Sequence, residues 1–134
     1  MTDRPLAVLD ASAGVKWIRS ETGSEQARAL LSSHRAGELR IVVPSLFMHE
    51  VVGVAVRHLG VDIGERTWET LLDADLTVLG LDDTLARAAL EQCRLLGCSF
   101  YEALAPALAD QLDATLYSAD ARAHAHFDGV VLIG

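Results

Sequence analysis

The chain has 134 residues, enough for one compact domain that buries roughly two-thirds of its unfolded surface and needs no disulfide or structural metal to hold a core. Half of it is hydrophobic (51%), which excludes a disordered chain, and no apolar run approaches the roughly 18 residues of a membrane span. Eleven Lys and Arg against 19 Asp and Glu give a net charge of −8, the wrong sign for a general nucleic-acid-binding surface but compatible with bound cations or a basic partner. The first residues lack the apolar stretch of a signal peptide, so cytoplasm is the expected location. Leu6-Ala7-Val8-Leu9 reads as a buried strand ending at Asp10, after which Ser12 is expected to cap a helix through Val15, Trp17 and Ile18. Ser24 opens a second helix whose apolar face is Ala27, Leu30 and Leu31, and Gly37 ends it. Leu39 to Val43 is a second strand, stopped by Pro44. Ser45 then starts a helix reaching Gly60, and Asp62 to Leu72 reads as another. Leu76 to Leu79 is a third strand, and Asp82 or Asp83 caps a helix from Leu85 to Leu96. Cys93 and Cys98, with no second pair, read as reduced, partly buried thiols. Ser99 caps the next helix, with Phe100, Leu104, Leu108 and Leu112 on one face. Thr115 to Tyr117, a short helix from Ala119 to His126, and Val130 to Ile133 complete the chain.

Strands that alternate with helices and are apolar throughout imply a parallel sheet covered on both faces, here an α/β architecture of about five strands in a single domain, residues 1–134. Such sheets bind ligands at the carboxyl ends of their strands. Asp10 stands at one such end and Asp120 lies just past another, while Glu50 and Glu102 interrupt apolar neighbourhoods near helix starts. Each has an ordinary alternative. Asp10 and Asp120 suit turns or caps, Glu50 suits an ion pair with Arg57 two turns on, and Glu102 suits the start of its helix. Together they mean more, because carboxylates converging within about 4 Å repel by about 4 kcal/mol per pair at an effective dielectric of about 20. Hard oxygen ligands of this kind suit Mg²⁺ or Mn²⁺, whose charge offsets that repulsion.

Val8-Leu9-Asp10-Ala11-Ser12-Ala13-Gly14-Val15-Lys16-Trp17 resembles the opening of PIN-domain nucleases of the VapC toxin type, a hydrophobic strand followed by Asp-x-Ser and a helix carrying Val-Lys-Trp. Pro44-Ser45-Leu46-Phe47-Met48-His49-Glu50-Val51 is similar to that family's second segment, Tyr101-Glu102-Ala103-Leu104 falls where it has Tyr-Asp-Ala, and Ser118-Ala119-Asp120 matches its Thr/Ser-x-Asp. The four motifs occur in the family's order from Leu6 to about Phe127. The sequence departs from the pattern at Glu102, where the family has Asp, and at Gly53, where an Asn commonly follows the second-motif Glu by three residues. Pro106, four residues after Glu102, deprives the carbonyl of residue 102 of its helical hydrogen bond.

The resemblance implies a PIN-like three-layer sandwich and a metal-dependent endoribonuclease, the toxin of a toxin–antitoxin pair, whose products carry 5′-phosphate and 3′-hydroxyl ends. Asp10, Glu50, Glu102 and Asp120 would then be the catalytic, metal-binding acids for Mg²⁺ or Mn²⁺, which activates a water for in-line attack on an RNA phosphodiester. Ser12 and Ser118 would bind the scissile phosphate or orient the acids, and Lys16, Arg57 and, more weakly, Arg19 would lie near the cleft. The implied partners are RNA, a small antitoxin with a basic tail, and a second copy of the chain joined through helices of the first half; no membrane is implied. The alternative is a catalytically impaired PIN-fold module that holds a basic antitoxin or RNA without cleavage, motivated by Glu102 and Gly53. A phosphotransfer enzyme with Asp10 as nucleophile is weaker, because Ser12 stands where Asp-x-Asp phosphatases have their second Asp. His124 and His126 read as surface histidines, and Trp17 and Trp68 as packing residues.

Overall fold

The computed structural model describes residues 3–134. Its strands are β1 (Leu6–Leu9), β2 (Arg40–Pro44), β3 (Thr77–Leu79), β4 (Thr115–Ser118) and β5 (Val130–Leu132), joined in one sheet of order β3-β2-β1-β4-β5 with every neighbouring pair parallel. The helices are α1 (Ala11–Gly14), α2 (Ser24–Arg35), α3 (Ser45–Leu59), α4 (Val61–Asp73), α5 (Asp83–Leu96), α6 (Phe100–Leu112) and α7 (Ala121–His124), with a 3₁₀ turn over Val15–Trp17.

Side-chain alternation along the inner strands divides the interior in two. Ala7 and Leu9 of β1 and Ile41 and Val43 of β2 point to a core closed by Ala13, Ala27, Leu30, Phe47, Val51 and Leu71, which come from α1 to α4. Val8, Val42 and Leu116 point the other way, to Leu85 and Ala89 of α5 and to Leu104 and Leu108 of α6. The result is the expected three-layer α/β sandwich, with the inner strands buried on both faces. The edges differ from expectation: Val78, Leu79, Val131 and Leu132 are exposed on β3 and β5, the two edge strands.

The segment after β1 also departs from the sequence reading. Asp10, not Ser12, is the cap; its Oδ1 accepts from the Ser12 N–H, and the helix lasts one α turn before tightening to 3₁₀. Gly14 explains the close seating of that turn. A Cβ built there would lie 2.5 Å from the Phe47 ring and 2.9 Å from Val51, so only glycine lets α1 rest directly on α3. That contact holds Asp10 beside the helix carrying Glu50. Gly14→Ala is expected to lower stability by about 1–3 kcal/mol through overpacking, measured as a shift of the urea midpoint at constant slope.

Candidate active site

In a parallel sheet with these crossovers, strand carboxyl ends and the N-termini of the following helices meet at one edge. Four acids arrive there by separate routes. Asp10 leaves β1, Asp120 follows β4, Glu50 sits in the second turn of α3 and Glu102 in the first turn of α6. All four line one cavity of about 190 Å³, together with Ser12, Phe47 and Tyr101.

Asp10 is the most enclosed of the four. Besides the bond from Ser12 N, its Oδ2 lies 3.2 Å from Nδ1 of His124 and accepts from the Ser118 hydroxyl at 3.3 Å. Burial pushes its pKa up, but the His124 ring and Ser12 outweigh burial and leave it lowered. Burial likewise opposes charge on His124; its hydrogen bonds to Asp10 and to the Glu102 carbonyl, with the charges of Asp10 and Asp120, reverse this and raise its pKa. The two form a hydrogen-bonded imidazole–carboxylate pair beneath the cavity, each favouring the charged form of the other. Asp120 caps α7, its Oδ1 accepting from Ala123 N at 3.2 Å.

Glu102 is held at both oxygens. Oε1 accepts from Ser99 N at 3.1 Å, completing a capping box at the start of α6, and Oε2 is bonded by the Arg122 guanidinium, which also stands 3.8 Å from Asp120 Oδ2. The Ser99 N–H and hydroxyl and Arg122 together keep its carboxyl below the ordinary range. Glu50, at the open mouth, goes the other way: partial desolvation and the charges of Asp10 and Glu102 raise its pKa. The gathering of four acids around one cavity is the structural observation favouring a cation, and four hard carboxylates suit a hard divalent ion in kind. Among the described residues, however, no three His, Cys, Asp or Glu side chains are gathered closely enough to hold a metal, and Glu102 is engaged by Arg122 and Ser99.

Several expected contacts change. Ser118 is 0% exposed and outside the residues lining the cavity, its hydroxyl shared among Asp10, His124 and Asp120 N. Ser12 lines the cavity, and its Oγ accepts from Ala119 N at 2.9 Å, which ties the β1 and β4 ends together. Lys16 is not at the cleft: it is 5% exposed and bonded to Glu21 Oε1 at 3.1 Å and Thr22 O at 2.5 Å, because the 3₁₀ turn rotates it toward the loop before α2. Arg57 is exposed but outside the residues lining the cavity, and among the described residues no ion pair joins it to Glu50; two helical turns carry it about 10 Å along α3. Arg19 is likewise exposed and outside the residues lining the cavity. Trp17 packs as expected, edge-on to Phe47, whereas Trp68 is 44% exposed beside Met48, Val52 and Gly53. His124 is no surface residue but 1% exposed, and Arg122 is the cation nearest the acids. The signal for His124 was the unpaired carbonyl left by Pro106, which needed a donor from somewhere.

A family model described as PIN domain matches residues 7–129. Similar solved structures include a toxin–antitoxin complex from Klebsiella pneumoniae (16% identity, 93% of this chain and 95% of that one, TM-score 0.72). Mycobacterium tuberculosis VapC20, a sarcin-ricin loop cleaving toxin, has 17% identity over 92% of this chain and 98% of its own, TM-score 0.71. VapBC2 from Rickettsia felis, bound to a promoter DNA fragment, has 14% identity over 95% and 96%, TM-score 0.72. At such identities the likeness is one of fold. No curated protein gives a significant sequence match.

The Asp10–His124 pair makes the stability of the metal-free protein depend on pH. With its folded pKa raised, His124 contributes fully below its unfolded value of 6.5 and loses that contribution as pH rises through the folded value. Asp10, lowered from 3.8, contributes above that pH and loses it as pH falls through its folded value. Thermal denaturation with chelator present is expected to show the midpoint falling as pH rises above 6.5 in the native sequence, with the slope absent in His124→Gln.

Proposed function

The chain belongs to the PIN-domain family, and from that premise we propose that it is a Mg²⁺-dependent endoribonuclease, the toxin of a toxin–antitoxin pair. The observation that carries the reading is the convergence of Asp10, Glu50, Glu102 and Asp120 on one cavity at the carboxyl edge of the sheet. Mg²⁺ or Mn²⁺ there would supply an acidified water and positive charge opposite the phosphate oxygens. Asp10 and Asp120 are fixed by the N–H groups of Ser12 and Ala123, so these two acids are oriented in advance. Glu50, with its raised pKa at the cavity mouth, is suited to accept the proton of the attacking water.

RNA as substrate, a basic-tailed antitoxin and a homodimer remain parts of this proposal. Structural relatives include toxin–antitoxin complexes, and the cavity already attracts a guanidinium, that of Arg122, which supports an antitoxin tail that presents a cation. Exposed Val56, Leu59, Val61, Trp68 and Leu72 on α3 and α4 support a protein contact on the first-half helices. Among the described residues no helix is long and apolar enough to cross a membrane.

A second reading, a binding module without turnover, draws on one observation: both oxygens of Glu102 are already engaged. Incubation with structured RNA separates the two. For the nuclease, cleavage requires Mg²⁺, stops with EDTA and falls at least roughly 100-fold in Asp10→Asn and Asp120→Asn, more than loss of a supporting partner costs. Cleavage persisting in both variants with EDTA would refute it; an inert native chain activated by Glu102→Asp would establish the binding module. Arg122→Ala, which releases Glu102, is expected to strengthen Mn²⁺ binding by several-fold in calorimetry.

A further inference from the structure

Pro106 lies within α6, where it has no N–H to offer the carbonyl of Glu102 one turn earlier. That carbonyl accepts instead from Nε2 of His124 at 2.6 Å. A carbonyl can only accept, so Nε2 carries the hydrogen and Nδ1 faces the other way. Nδ1 lies 2.7 Å from the Ser118 hydroxyl and 3.2 Å from Asp10 Oδ2, and the same hydroxyl accepts from Asp120 N at 3.0 Å. One buried ring therefore joins the three segments that present Asp10, Asp120 and Glu102. Its place is set by α7, a single turn capped by Asp120, whose last residue is His124.

A buried histidine need not serve a site. His34 is as deeply enclosed, but Nε2 meets Ala74 O at 2.7 Å and Nδ1 accepts from Ile41 N at 3.1 Å, backbone partners only. His124 differs because each ring nitrogen ends at a segment carrying an acid of the cavity.

We infer that His124 is a positioning residue of this site, a strut that replaces the helical hydrogen bond lost at Pro106 and sets the distance from Glu102 to Asp10 and Asp120. Its consequence for metal binding rests on the nuclease reading; its linkage to Pro106 does not. The longer Glu102 side chain makes such a strut useful, since the placement of α6 then decides where that carboxylate can reach.

The test uses the full chain, with Mn²⁺ calorimetry and thermal denaturation at one pH. His124→Ala is expected to weaken Mn²⁺ binding by roughly 10–100-fold. His124→Gln, whose amide reaches the Nε2 position, and His124→Asn, which mimics Nδ1, should each recover part of that loss, and either keeps the test available should the alanine variant fail to fold. Pro106→Ala restores an N–H to the Glu102 carbonyl, so the loss from His124→Ala should shrink in its background, a non-additivity of neighbours. Histidine acting only as core packing would lower the denaturation midpoint while leaving Mn²⁺ affinity of the folded protein within twofold, and that result overturns the inference. If the native chain binds no Mn²⁺, the metal reading falls; the denaturation cycle between positions 106 and 124 then decides the strut, with coupling supporting it and additivity overturning it.

Discussion

Like charges crowded at one edge of a parallel sheet are the constraint on which the rest of this structure depends. The parallel strands end there and α1, α3 and α7 begin there, which gathers Asp10, Glu50 and Asp120; α6 follows α5, and its packing brings Glu102 to the same cavity. The fold answers at two depths, with a buried imidazole and an exposed guanidinium. His124 lies beneath Asp10, out of water, and Arg122 lies at the rim between Glu102 and Asp120. Glu50 has neither, and its pKa is raised by partial desolvation and then by the charges of Asp10 and Glu102. An added divalent cation would act where the protein's own cations leave off.

The same acids also hold the fold together. Asp10 caps α1, Asp120 caps α7 and Glu102 closes the capping box of α6, each satisfying a backbone N–H that the helix start leaves unpaired. A structural cap and a metal ligand are compatible roles at Asp120, whose Oδ1 caps α7 while Oδ2 has only Arg122, at 3.8 Å. Asp10 and Glu102 are engaged at both oxygens, Asp10 by Ser12 N and by Ser118 and His124, Glu102 by Ser99 N and Arg122. They differ in the partner, since only Glu102 is held by an arginine exposed at the rim.

The two departures from the family pattern lie apart. Glu102 meets Pro106 and His124 in one place, the proline removing a donor and the histidine restoring it. Gly53 lies elsewhere, on the exposed side of α3 next to Trp68, where a side chain at that position would meet open space. Its loss of a polar group therefore bears on the outer face of the protein more than on the interior of the cavity.

Much of the fold was legible in the linear chain. Uniformly apolar Leu6–Leu9 and Ile41–Val43 required a sheet covered on both faces, and Ser99 and Asp82 marked helix starts by their own hydrogen bonding, a local property that needs no tertiary information. Asp10, Glu50 and Asp120 follow strand ends, which parallel topology must bring to one edge, whereas Glu102 sits on a helix that follows another helix and reaches that edge only through packing. Side-chain direction was not legible. Lys16 turned away because a 3₁₀ turn replaced the expected helix, Ser118 sank because β4 is an inner strand, and His124 went inward because a carbonyl 22 residues earlier lacked a donor. Sequence alone determined which residues could meet, through periodicity and strand order; only the packed chain decided which atoms did, because hydrogen bonds between distant segments depend on rotations that no local pattern encodes.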